Sequence, residues 1–194
     1  MVELTLKRWN EPEVTDDDPE SRQIAAAQRD IRDFAPLYVA YFDSIYGYAL
    51  RSLRDRDLAA DVTSDTFARA MKALPRYRGK SFRSWLFTIA HNVIVDSARR
   101  RKPTASFDEM LGIPDRGKSP EEALLADESA RSIATLLDRL TENQRQVVVL
   151  RTAGLTGQEV ADVLGMSVGA VKAAQFRAYN RLRIWLTDDT NGAL

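Results

Sequence analysis

Residues 156–172, TGQEVADVLGMSVGAVK, constrain the fold more than any other stretch of the chain. Thr156 and Glu159 have the spacing of a capping box, in which hydroxyl and carboxylate each satisfy a backbone N–H left open at a helix start. Val160, Val163 and Leu164 recur at helical spacing and give that helix one apolar face. Gly165 follows, where a helix end needs a residue that tolerates positive φ. Ser167 is placed to cap a second helix that runs on through Val171, Phe176, Leu182 and Ile184. Two short capped helices around a glycine turn predict a helix-turn-helix, whose second helix normally enters the DNA major groove. Lys172, Arg177, Arg181 and Arg183 lie along that helix, and no acid stands between Ser167 and Leu186. Such a row neutralises phosphates and releases counterions. The small residues Val168, Gly169 and Ala170 let the backbone approach a duplex closely. A solvated basic helix in a bundle would explain the charges, but not the capped pair and its turn.

Composition sets the outer bounds. A chain of 194 residues holds one ordinary domain or two small ones. It has no cysteine, which excludes a disulfide framework, a thiolate zinc site and a cysteine nucleophile, and fits a reducing cytoplasm. No apolar run reaches bilayer length, and MVELTLKRWNEPEV has no signal-peptide core, so a cytoplasmic protein without membrane insertion is expected. The net charge of zero, taken alone, argues against a nucleic-acid partner, but it averages segments of opposite sign. Residues 1–20 and 104–130 are acidic. Residues 69–102 carry Arg69, Lys72, Arg76, Arg78, Lys80, Arg83, Arg99, Arg100, Arg101 and Lys102 against Asp96 alone. Sorting of this kind marks a localised anion-binding surface.

Helical periodicity dominates and period-two alternation is absent, which predicts an all-α fold of two small helical domains joined by a flexible linker. Helices are expected near residues 20–32, 36–53, 56–73 and 81–101, with Asp18 as cap and Pro19 at the first position of the earliest. Residues 103–119, PTASFDEMLGIPDRGKS, hold Pro103, Gly112, Pro114 and Gly117 and form the expected linker. Ser119 and Glu122, then Thr141 and Gln144, form further capping boxes. The expected division is a mobile acidic N-terminus at 1–19, a first domain at 20–102, the linker, a helix-turn-helix domain at 120–187 and a tail at 188–194.

The first domain combines cations with rings. Tyr77, Phe82, Trp85 and Phe87 alternate with Arg76, Arg78, Lys80 and Arg83, the mixture that holds single-stranded DNA through backbone charge and base stacking. Phe82, Trp85, Leu86 and Ile89 fall on one helical stripe and belong mostly to a core, which leaves Tyr77, beside Gly79, as the ring for a base. Asn92, Asp96, Arg99 and Arg100 follow along the same helix, facing DNA or solvent. Asp57, Asp61 and Asp65 are spaced i, i+4, i+8 and form an acidic stripe, either a solvated face or a dock for a basic partner, while Phe67 and Met71 should point to the core. His91 is the single histidine and lacks companion metal ligands, so a plain polar position is the better reading and no cofactor is expected. No phosphate loop, nucleophile elbow or paired carboxylate suggests an enzyme.

Taken together, these parts resemble a bacterial sigma-70-type factor of the extracytoplasmic-function class, which keeps only regions 2 and 4. DLAADVTSDTFARAMKAL (57–74) resembles region 2.2, YRGKSFRSWLFTIAHNVIVDSARRRK (77–102) regions 2.3 and 2.4, and 140–186, opening LTENQRQVVVL, region 4. The resemblance implies promoter recognition: binding core RNA polymerase through its clamp helices and flap, reading the −35 element with region 4 and opening the −10 element with region 2. It implies core-polymerase contacts at Asp57, Asp61, Asp65 and Phe67, with Ser64 where relatives usually carry Gln. It implies −10 contacts, duplex and single-stranded, at Tyr77, Arg78, Lys80, Asn92, Asp96, Arg99 and Arg100. It implies −35 contacts at Ser167, Val168, Gly169, Lys172, Ala173, Phe176 and Arg177, with Ala173 standing where many relatives are polar. An anti-sigma protein is the expected regulator. A helix-turn-helix repressor or activator that binds duplex operator without polymerase explains 141–186 but not the first domain. A protein-binding helical adaptor leaves the basic helix unexplained.

Overall fold

The computed structural model describes residues 18–79, 81–100 and 134–191, with side chains to Thr187. Among them there is no strand, as the periodicity predicts. The expected linker, residues 1–17 of the acidic N-terminus, the helix start at Ser119 and Lys80 all lie outside the described residues.

The first module is built on helices α1 (Pro19–Arg29), α2 (Ala35–Leu53), α3 (Arg56–Ala73) and α4 (Phe82–Arg100). Asp18 sits at the cap position of α1 with Pro19 behind it, but its carboxylate makes no capping bond, contrary to the expectation from sequence. The helix also stops short of residue 32. Asp30 turns extended at φ −140° and its carboxylate accepts the Arg32 N–H, which starts a 3-10 turn over Ile31–Phe34. A short acceptor side chain here competes with the backbone ladder and breaks the helix. Asp55 caps α3 by accepting the Leu58 N–H at 2.9 Å. Between α2 and α3, Arg54 takes the left-handed conformation at φ 55°.

The second module begins with the helical turn 134–138 and continues through α5 (Glu142–Thr152), α6 (Gly157–Leu164) and α7 (Val168–Asn191). The Thr141 N–H donates to Gln144 Oε1 at 3.3 Å, as the capping-box spacing predicts.

One apolar core runs through both modules. Leu37, Ile45, Tyr48 and Leu50 of α2 and Phe82, Leu86 and Phe87 of α4 are buried, and the cluster continues into Val147, Leu150, Leu155 and Val160. Full burial of each such side chain contributes about 1.5–3 kcal/mol. The seam lies where α4 packs against α6 and α2 against α5. A smaller cluster of Leu140, Val148 and Ala178, flanked by Leu182 and Trp185, ties α5 to α7. Arg139 lies 4.3 Å above the Trp185 ring and closes that end.

Candidate nucleic-acid interface

The helix-turn-helix forms as its spacing predicts. The Thr156 hydroxyl accepts the Glu159 N–H at 3.2 Å, and Glu159 returns a carboxylate oxygen to the Thr156 N–H at 2.8 Å. Gly165 ends α6 at φ 63°, a region that favours glycine. Ser167 Oγ accepts the Ala170 N–H at 3.1 Å and starts α7. Val171, Ala174 and Ala178 are buried against the rest of the module. On the opposite side Ser167, Gly169, Lys172, Phe176 and Arg177 are exposed, with Val168 and Ala173 half-buried. At about 100° per residue, Lys172, Ala173, Phe176 and Arg177 fall within one arc of about 140°. Phe176 is 68% exposed and Ile184 53%, so neither belongs to the buried face of α7. An exposed phenyl flanked by cations is suited to thymine methyls and sugar edges beside phosphates. Arg181 leaves that row in part: it is exposed, yet its Nη1 reaches Gln144 Oε1 at 3.1 Å and braces α7 on the start of α5.

In the first module the basic–aromatic segment becomes the turn Leu74–Arg76, a loop, and α4. The structure corrects the expectation for Tyr77. This ring is only 9% exposed, packed 4.9 Å from Trp85 and 5.7 Å from Phe82 between centroids. A Cβ at Gly79 would come within 2.7 Å of its edge, so a side chain there would force the ring to shift. Burial, with Glu20 nearby, pushes its phenol up to about 12. Tyr77 therefore supports the loop from beneath, and Trp85, half-buried, is the more accessible ring. Arg78 is exposed but folds back to the carbonyls of Tyr77 at 2.7 Å and Pro75 at 3.1 Å. Asn92, Arg99 and Arg100 are exposed along α4. Asp96 faces α3 instead, 3.8 Å from Arg69.

The same Arg69 holds Asp65 at 2.8 Å, so one guanidinium links the acidic stripe to α4. Asp57, Asp61 and Asp65 are exposed on one side of α3, whereas Phe67 is 3% exposed beneath Phe34, Tyr38 and Phe42. Phe67 shapes that surface without forming it. Met71, expected in the core, is 38% exposed. His91 is half-buried and hydrogen-bonded through Nδ1 to the Tyr48 hydroxyl at 2.8 Å; burial holds its imidazole below the usual histidine range.

Several polar contacts were invisible in the sequence because they join distant positions. Ser81 Oγ accepts the Ser84 N–H at 3.1 Å, capping α4, and donates to Glu159 Oε1 at 2.7 Å, so the caps of α4 and α6 are bonded to one another. Arg83 Nη1 donates to the Gly154 carbonyl at 3.1 Å, where the backbone turns at φ 91°. Arg54 pairs with Asp138 and donates to the Ala134 carbonyl at 3.2 Å. These contacts cross the seam and place the candidate −10 loop beside the helix-turn-helix.

Fold and surface thus define a two-module helical DNA-binding protein. The comparisons place it more closely. Residues 37–104 match the family model for sigma-70 region 2, and residues 130–182 the model for sigma-70 region 4. The ECF RNA polymerase sigma factor ShbA of Streptomyces griseus is 40% identical over 136 residues, covering 66% of this chain and 71% of that protein. The ECF RNA polymerase sigma factor BldN of Streptomyces coelicolor is 35% identical over 161 residues; the match takes in 80% of this chain but 61% of the length of BldN. Among solved structures, CnrH in complex with the cytosolic domain of CnrY superposes with a TM-score of 0.67 at 30% identity, covering 86% of this chain and 96% of CnrH. The chain belongs to the sigma-70 family, in its ECF group of RNA polymerase sigma factors. Members of that family are transcription initiation factors, and none of the described helices is long and apolar enough to cross a membrane.

Proposed function

We propose that this chain is an alternative sigma factor that binds core RNA polymerase, recognises −35 and −10 promoter elements and promotes melting at the latter. The observation that carries this reading is the exposed arc of α7, with Lys172, Phe176 and Arg177 on a capped helix-turn-helix, joined to a second module whose basic helix ends in Arg99 and Arg100. In this reading the module containing 20–102 docks on polymerase through Asp57, Asp61 and Asp65 over the Phe67 cluster. It meets the −10 strand through Arg78, Lys80, Asn92, Arg99 and Arg100. The module containing 120–187 reads the −35 duplex through Ser167, Val168, Gly169, Lys172, Ala173, Phe176 and Arg177. Unstacking each base costs a few kcal/mol, and a pocket for the extruded base offsets part of it. CnrH was solved with the cytosolic domain of CnrY, which supports a protein partner for this chain as well.

Run-off transcription on genomic promoter fragments with purified core polymerase tests the proposal. Specific transcripts should require the protein and vanish when Asp61→Arg and Asp65→Arg are combined. No transcript and no core binding, together with tight operator binding by the protein alone, would overturn it in favour of a regulator that acts without polymerase.

A further inference from the structure

The region 2 match begins at residue 37, so helix α1 falls outside it. Yet α1 holds the loop on which the −10 reading depends. Gln28 Nε2 donates to the Leu74 carbonyl at 3.0 Å and to the Tyr77 carbonyl at 2.9 Å. Both acceptors lie in the connection between α3 and α4, where the backbone has left one helix and not entered the next, and carbonyls there need partners from elsewhere. The Tyr77 N–H already closes on the Leu74 carbonyl at 2.9 Å. Gln28 bonds the carbonyls at both ends of that turn and so holds the peptide that leads from Tyr77 to Arg78. The far end of α1 is anchored separately, because the Tyr41 hydroxyl donates to Glu20. Helix α1 is therefore a strut pinned on α2 at one end and on the loop at the other.

We propose that Gln28 is a positioning residue for capture of the −10 strand, acting through the loop and never touching DNA. The inference rests on the sigma-factor reading. Its physical basis is preorganisation: a loop ordered during folding need not be ordered again when a strand binds, and the affinity for that strand rises accordingly. Arg78, whose side chain shares the Tyr77 carbonyl with Gln28, leaves that acceptor for a phosphate at low cost because Gln28 continues to satisfy it. Loss of the Gln28 amide would tie Arg78 to its own backbone.

The test uses the full chain assembled with core polymerase. Gln28→Met keeps side-chain length and helix propensity and removes both donated bonds. Three affinities are measured for wild type and variant: for core polymerase, for a −35 duplex, and, in the assembled enzyme, for the single-stranded −10 non-template oligonucleotide of a promoter that the wild type transcribes. Losing two hydrogen bonds should weaken the −10 strand about tenfold, with core and −35 binding unchanged. Equal −10 affinity overturns the proposal. So does a parallel loss of all three affinities, which would make Gln28 a general structural residue. If the wild type binds neither core nor the −10 strand, the sigma-factor reading itself has failed, and that result needs no variant to recognise.

Discussion

The bond between the Ser81 and Glu159 caps offers a direct measure of how firmly the two modules dock. Each partner also works within its own module: Ser81 Oγ accepts the Ser84 N–H, and Glu159 accepts the Thr156 N–H. Ser81→Ala removes a cap and Glu159→Ala removes the returning half of a capping box, and each should cost about 0.5–2 kcal/mol of stability even if the modules were apart. The cross-module bond at 2.7 Å adds a further quantity that neither single variant isolates. A hydrogen bond to an ionised group contributes about 1.5–3 kcal/mol; because both groups are half-buried, the expected coupling is lower, about 1 kcal/mol. Urea unfolding of wild type, both single variants and the double variant yields that coupling as the departure from additivity. A coupling within about 0.3 kcal/mol of zero, alongside intact single-variant costs, would refute the docked arrangement in solution.

Phe67→Ala should destabilise the first module by about 3–5 kcal/mol in the same urea assay, since the ring is buried under an aromatic cluster; a loss below about 1 kcal/mol would mean that it faces solvent. Phe176→Ala should leave stability within about 0.5 kcal/mol, because the ring is exposed, yet weaken −35 duplex binding by roughly fivefold in a fluorescence titration. Burial holds the His91 imidazole below its unfolded value, against an opposing pull from Glu142, so the unfolded chain takes up the proton first as pH falls. The stability contributed at this site is full above about pH 6.5 and is lost below it. Denaturation midpoints measured from pH 7 to pH 5 should fall more steeply in wild type than in His91→Gln; equal slopes would exclude the imidazole as the cause.

What could be read ahead from the sequence follows the range of the forces involved. The helix-turn-helix was legible because its signals are local: a cap and its box lie three residues apart, and Gly165 stands where φ must be positive. The break at Asp30 was missed because Arg29 to Phe34 keep helical periodicity, and only the carboxylate's preference for the Arg32 N–H ends the helix. Tyr77 was misjudged for the opposite reason. Its neighbours in sequence read as a loop, but Phe82, Trp85 and the bare face of Gly79 close around it in space. The contacts of Gln28, Arg83 and Ser81 had no local signature at all, since their partners stand 46–49, 71 and 78 residues away. The residue assignments of the candidate interfaces came from resemblance, and burial then sorted surface residues such as Asp61 from supporting ones such as Phe67.

Net charge is zero, so the attraction to DNA must come from how charge is distributed, and that has a measurable consequence. Lys172, Arg177 and Arg183 are exposed along α7, whereas Arg181 is partly engaged by Gln144. With about three phosphates neutralised, the logarithm of −35 affinity should fall with the logarithm of salt at a slope near −2.7. Raising salt from about 50 to about 200 mM is a fourfold change, so affinity should drop roughly 40-fold over that range. Lys172→Ala should make the slope shallower by about 0.9, while Arg181→Ala should change it less and mainly loosen the brace between α7 and α5. A slope near zero would mean that the basic row of α7 does not face phosphates. A slope altered more by Arg181→Ala than by Lys172→Ala would place the duplex on a different side of that helix from the arc that carries Phe176.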